Sequence, residues 1–214
     1  HRIQQTVNAR GEQLRVRLVE AVTDQLAPLR RMASEWKLNG RPDTVQWKFE
    51  TESILRHFDS YQTLIWADDS LQPKRVVANS GVWSEQGPRL ALGEERIKTL
   101  KEMRGIPTSR LFWTKDLVHT GKTFQFYFPV MSGELFDGFL ISINEVEQVI
   151  KRALDQEGVK SLLGFRLESL DEVLYSEARE KGVTRYQSKR RLDLYGLSLS
   201  LTFWPYAEMV DGLK

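Results

Sequence analysis

The chain has 214 residues, 41% apolar and 28% charged, a balance ordinary for a globular protein with room for one or two cores. Lys plus Arg number 31 against 29 Asp plus Glu, so the net charge is only +2 and nothing global draws the chain to nucleic acid or an anionic membrane. Cysteine is absent, which excludes disulfides, zinc–thiolate sites and cysteine nucleophiles.

Residues 1–38 read as one long helix. Ile3, Val7, Leu14, Leu18 and Ala21 form a narrow apolar stripe, and Arg2, Arg10, Glu12, Arg15, Arg17, Glu20 and Asp24 fill the other faces. So narrow a stripe suits a helix–helix seam, and a parallel homodimer through residues 1–27 is expected. Gly11 weakens the helix by about 1 kcal/mol relative to Ala. Pro28 should kink or break it. Beyond it, Leu29, Met32, Ala33 and Trp36 supply a wider apolar face suited to a sheet, and Asn39-Gly40-Arg41-Pro42 ends the segment.

A second helix follows, capped by Asp43 or Thr44, with Trp47, Ile54, Leu55 and Phe58 on one side. Residues 63–67 and 75–79 read as a hairpin around Asp68-Asp69-Ser70 and Pro73, residues 80–93 as a Gly-, Pro- and Ser-rich loop, and residues 94–103 as a helix. Strands at 111–118, 123–130 and 138–143 come next, then a helix at 145–154. A smaller β region at 164–169, 173–176, 185–194 and 197–203 closes at Trp204-Pro205. The expected fold class is α+β, a long N-terminal helix followed by two antiparallel sheet units of which the second is smaller.

Catalytic patterns fail one by one. His1, His57 and His119 have no metal-ligand spacing around them. Thr120-Gly121-Lys122-Thr123 has the tail of a phosphate-binding loop, but Asp116 stands where its earlier glycine belongs and a strand follows where a helix is needed. The pairs Asp68-Asp69, Glu94-Glu95 and Asp171-Glu172 sit where turns and helix starts favour carboxylates. Lys189-Arg190-Arg191 reads as an exposed strand start. No catalytic residue, metal site or cofactor is expected.

The strands after residue 110 carry the most information. Phe124, Phe126 and Phe128 alternate with Gln125 and Tyr127, and Phe139, Ile141 and Ile143 alternate with Leu140 and Ser142. Pairing the two wholly apolar sets leaves Gln125, Tyr127, Leu140 and Ser142 together on the opposite side. The preceding strand adds either Phe112, Thr114 and Asp116 to that mixed face, or Trp113 and Lys115. The face is then either the solvated side of the sheet or a pocket lidded by the 80–93 loop, where Trp83 would seek cover. The candidate ligand-binding residues are Trp83, Thr114, Asp116, Gln125, Tyr127 and Ser142.

Phe58-Asp59-Ser60-Tyr61-Gln62-Thr63-Leu64-Ile65-Trp66-Ala67-Asp68, Arg75-Val76-Val77-Ala78-Asn79, Tyr127-Phe128-Pro129-Val130, Phe136-Asp137-Gly138-Phe139-Leu140 and the closing residues 201–205 resemble the extracytoplasmic double-PAS sensors of the CHASE and Cache type. These belong to bacterial sensor histidine kinases and GGDEF diguanylate cyclases. The Arg-x-Trp…Tyr…Asp pattern of amino-acid-binding Cache domains is not found here. The resemblance implies a membrane-proximal dimerising helix at 1–38, a PAS-like ligand-binding unit at 39–145, a smaller PAS-like unit at 146–205, and a segment at 206–214 leading toward a membrane span. It implies a periplasmic domain of an inner-membrane protein that passes a small-molecule signal to a cytoplasmic output domain. The alternative is a structural or protein-binding periplasmic module. No apolar run approaches the roughly 18 residues that span a bilayer. A start at His1-Arg2-Ile3, without Met, is that expected of a fragment.

Overall fold

The computed structural model describes residues 1–79, 90, 92–104, 106, 108–115, 121–155, 163–178 and 182–213. The chain divides into two compact units, one of residues 25–148 and the other of residues 1–24 with 149–214. The N-terminal helical segment is two helices, α1 (Arg2–Asp24) and α2 (Ala27–Asn39), separated at Gln25-Leu26. Pro28 lies in the first turn of α2, where its missing N–H costs no helical hydrogen bond, so the expected break falls just before it. Among the described residues no helix is long and apolar enough to cross a membrane.

In the unit of residues 25–148, α3 (Thr44–His57) begins at Asp43, whose carboxylate accepts the Gln46 N–H at 2.8 Å. The strands are β1 (Tyr61–Ala67), β2 (Pro73–Ala78), β3 (Arg110–Lys115), β4 (Lys122–Ser132) and β5 (Leu135–Glu145), with α4 (Glu94–Glu102) between β2 and β3. They form one antiparallel sheet in the order β2-β1-β5-β4-β3. The β1–β2 turn is held by Asp68, whose carboxylate accepts the N–H groups of Ser70 and Gln72, and it buries Leu71 at a positive φ of 62°.

One face of this sheet is covered by α2, which packs on β4 and β5, while α3 packs on β1 and β2. The fastening point is Asp137. Its carboxylate accepts the Trp36 indole N–H at 2.7 Å and the Arg41 guanidinium at 2.5 and 3.2 Å, and its carbonyl accepts the Trp66 N–H at 2.7 Å. The Arg41 guanidinium lies 4.1 Å from the centre of the Trp66 ring, and the Trp36 and Trp66 rings are 5.8 Å apart. Gly138 follows at φ +94°, so close to β1 that an added Cβ would lie 2.1 Å from the Ala67 carbonyl oxygen.

In the other unit, β6 (Leu163–Ser169), β7 (Glu172–Glu177), β8 (Ser188–Leu194) and β9 (Leu197–Pro205) form an antiparallel sheet in the order β7-β6-β9-β8. The helices α5 (Val146–Asp155) and α6 (Ala207–Asp211) precede and follow its strands. α1 packs on β8, β9 and β6, burying Val7, Gly11, Leu14, Leu18 and Val22. Ser188 links the helix start to β8, accepting from Gln4 at 3.0 Å and donating to Asn8 at 2.7 Å, and Tyr195 donates to Thr23 at 3.1 Å near its end.

This overturns the dimer seam read from the stripe. Val7, Leu14 and Leu18 are 0, 7 and 1% exposed within a single chain, so they are not available to a second copy. The stripe is narrow because Gly11 interrupts it: the Phe203 ring fills the space, and a Cβ on Gly11 would sit 2.0 Å from it.

Two stability outcomes follow from these contacts. Gly11→Ala gains about 1 kcal/mol of helix propensity yet must displace the Phe203 ring, an overpacking that costs about 1–3 kcal/mol. Thermal unfolding is therefore expected to show a lower midpoint for Gly11→Ala and little change for Gln13→Ala on the exposed face. Asp137→Ala strips acceptors from Trp36 and Arg41 and is expected to cost about 1–3 kcal/mol in urea unfolding, since Arg41 is partly solvated. Asp137→Asn should cost less.

Candidate functional site

The register of the first sheet decides which side chains share a face. Phe112, Gln125 and Ile143 are aligned across β3, β4 and β5, and so are Arg110, Tyr127 and Ile141. Thr63 and Ile65 continue the two rows on β1. Gln125 and Tyr127 therefore lie on the face that carries Phe139, Ile141 and Ile143. Phe126 pairs with Ser142, and Phe128 with Leu140, on the opposite face. The pairing expected from the sequence is off by one residue, and the cause is a β-bulge. The β4–β5 ladder shifts between Pro129 and Met131, opposite Asp137 and Gly138. Without it the two-residue turn would align Phe126 with Ile141 and put the apolar sets together, as expected above.

α4 covers the Gln125–Tyr127 face. Leu100 and Met103 join Ile65, Ala67, Leu71, Tyr127, Phe139, Ile141 and Ile143 in one buried cluster, and Leu90, Leu92, Ile97, Phe112 and Phe136 pack around it. Tyr127 is fully buried, its ring 5.5 Å from Phe112 and 6.4 Å from Phe139, both edge-on. Its hydroxyl donates to the Gln125 side-chain oxygen at 3.2 Å, also buried. Burial pushes the phenol above its ordinary pKa, and the nearby Arg96 cation only partly offsets this.

Three arginines border the same cluster. Arg96, on α4, donates to the Trp113 carbonyl at 2.8 Å and lies 5.0 Å from the Phe112 ring centre. Arg104 donates to the Asp69 carbonyl and stands over Phe136. Arg110 is directly opposite Tyr127, and its Nε is buried without a hydrogen-bond partner. A separate open cavity of about 440 Å³ runs along α4, lined by Glu94, Ile97, Lys98, Lys101 and Glu102. Among the described residues no three acidic or His side chains gather where a metal ion could be held.

Of the six candidate residues, the structure brings Gln125 and Tyr127 together and places Thr114 on their face, two residues along β3 from Phe112. Ser142 is on the other face, its hydroxyl buried without a partner beneath α2 and α3, so it cannot share a pocket with Tyr127. Trp83 and Asp116 lie outside the described residues. The strand alternative that aligned Phe112 and Thr114 with the mixed face is the one adopted. Arg96 and Arg110 were missed. Arg110 shares parity with Phe112, which would have exposed it, whereas nothing local in the sequence points Arg96 at the sheet.

No family model and no curated protein matches the sequence. Solved structures do match over nearly the whole chain. A domain of a sensory box/GGDEF family protein from Vibrio parahaemolyticus aligns at 10% identity and a TM-score of 0.59, covering 99% of this chain and 100% of its own. The ligand-binding domain of the Pseudomonas aeruginosa amino acid chemoreceptor PctB, solved with L-Arg, aligns at 11% identity and 0.61, covering 97 and 96%. That of the Pseudomonas fluorescens chemoreceptor CtaA, solved with L-serine, aligns at 12% and 0.60, covering 96 and 97%. Extracellular domains of histidine kinases align similarly. The chain has the fold of the extracellular sensory domains of bacterial chemoreceptors, histidine kinases and GGDEF proteins.

The buried phenol sets a pH dependence. Because the folded pKa of Tyr127 is raised above the ordinary value near 10, its contribution to stability is whole below pH 10. It is lost as pH rises from there toward the folded value, since only the unfolded chain can then ionise. Stability of the parent protein should therefore fall more steeply above pH 10 than that of Tyr127→Phe, measured by urea unfolding of both proteins at pH 8 to 11. Parallel curves would contradict the burial argument.

Proposed function

We propose that this chain is the extracytoplasmic ligand-sensing domain of a bacterial transmembrane signalling protein, and that its ligand binds the Gln125–Tyr127 face of the first sheet beneath α4. One observation carries the reading. In a fold otherwise seen in sensory and ligand-binding domains, a helix-covered apolar face holds a buried amide, a buried phenol and, at its border, an arginine whose Nε is buried without a partner. Small-molecule sites are built this way, from apolar walls with a few convergent polar groups. Thr114 belongs to the same face, and Trp83 and Asp116 remain candidates for its rim.

The domain would sit in the periplasm, anchored in the inner membrane, with a kinase or diguanylate cyclase as its cytoplasmic output. The ligand would act by favouring one of two states and shifting the terminal segments. A homodimer would pair through the outer face of α1, around Ala9, Gln13, Val16 and Glu20, because the inner stripe is occupied.

A thermal-shift screen of the purified chain against small metabolites tests the reading. A ligand present at 100 times its Kd adds about 2.7 kcal/mol to the folded state, which for a chain of this size raises the midpoint by about 5–10 °C. Tyr127→Ala and Gln125→Ala are expected to weaken that ligand while remaining folded. If no compound raises the midpoint, a structural or protein-binding module is the better account.

A further inference from the structure

Ser142 stands out in the sequence as a polar residue within an apolar strand, yet the register turns it away from Tyr127, onto the face beneath α2 and α3. It is 0% exposed there, and its cross-strand neighbours Leu64 and Phe126 are apolar and fully buried. Its hydroxyl meets no hydrogen-bond partner among the described residues. Two residues on, Asn144 shares the same face and is also 0% exposed. Its Nδ2 donates to the Gln25 side-chain oxygen at 3.3 Å, while its Oδ1 meets no donor. A buried hydroxyl or carboxamide oxygen without a partner is costly, and native folds leave few of them so.

The surrounding bonds show which way the carboxamide faces. Ser60 donates to Gln25 at 2.5 Å, and the Ser60 carbonyl accepts the Glu145 N–H, so Gln25 lies on the Glu145 side of Asn144. The nitrogen and oxygen of a carboxamide point away from each other. With its nitrogen on Gln25, Asn144 therefore turns its oxygen back along β5 toward Ser142. Positions two apart on one strand face are about 6.6 Å apart, and a water that accepts one hydrogen bond and donates another spans about 5.6 Å. The small remainder is within the lean of the two side chains. Because both residues are closed off from solvent, an occupant must be as small as water.

We propose that a buried water bridges Ser142 and Asn144, accepting from the hydroxyl and donating to the carboxamide oxygen. A pair of polar partners is the least that a buried water needs, and these two groups supply it. The water extends the polar row of Ser60, Gln25 and Asn144 along β5. It thereby fastens the start of α2 to the middle of the strand whose other face carries Ile141 and Ile143.

A high-resolution crystal structure of the purified chain is expected to show a water within hydrogen-bond distance of both atoms. Ser142→Ala gives an independent reading through the sign of its effect. If the hydroxyl is unbonded, the substitution removes a buried polar group that nothing satisfies, and the thermal midpoint rises. If the hydroxyl holds a water, the substitution breaks a hydrogen bond, and the midpoint falls by about 2–4 °C for a chain of this size. Ser142→Cys keeps the volume but donates only weakly, so it is expected to lower the midpoint as well and serves if Ser142→Ala does not fold. No water between the two atoms, or a midpoint unchanged or raised in the variant, overturns the proposal. The sensing reading stands apart from this result, because the site is on the opposite face of the sheet.

Discussion

A single extra residue in β5 governs the first sheet. At Asp137-Gly138 the strand carries two residues where β4 carries one, and every side chain beyond that point changes face. Gly138 can occupy the bulge because its φ is +94° and because no side chain fits between it and the Ala67 carbonyl. Asp137 fixes the bulge from the other side, gathering Trp36, Arg41 and Trp66 around one carboxylate and its carbonyl. The same two residues therefore attach α2 to the sheet and set the register of the strands leading away from it.

The consequence is a sheet with unlike faces. Toward α2 and α3 it presents Phe124, Phe126, Leu140 and Leu64, with a polar row in which Asn144 and Ser60 donate to the buried side chain of Gln25. Toward α4 it presents Tyr127, Gln125 and Arg110 set among Ile141, Ile143 and Phe139. On the first face the bonds to Gln25 hold the start of α2 in place, while the Ser142 hydroxyl and the Asn144 side-chain oxygen are buried without a hydrogen-bond partner. On the second, Tyr127 donates to Gln125 and the Arg110 Nε is left without a partner.

Much of this architecture is legible in the sequence. The turns at Asp68 and at Asn39–Pro42, the cap at Asp43 and the break near Pro28 rest on local backbone preferences, which operate whatever the rest of the chain does. The two misreadings share a cause in long-range packing. α1 looked like a seam because its apolar stripe is narrow, and only the Phe203 ring, 192 positions away, shows Gly11 as a docking notch within that stripe. The β4–β5 faces were exchanged because apolar matching favours the simple register, and the bulge that defeats it depends on Trp36 and Arg41 from a different segment. Of the site, Gln125 and Tyr127 were visible as polar residues alternating within an aromatic strand. Arg96 reaches the face only through the placement of α4, which no local pattern specifies.

The central proposal is that the face carrying Tyr127, and not the second sheet, receives the ligand. Methyl NMR of the chain, free and saturated with a stabilising ligand, addresses this most directly. The largest shift changes are expected at Ile65, Ile141, Ile143 and Leu100, with Leu192, Leu199 and Leu201 of the second sheet nearly still. Changes concentrated at Leu192, Leu199 and Leu201, with Ile141 and Ile143 unmoved, would contradict the account.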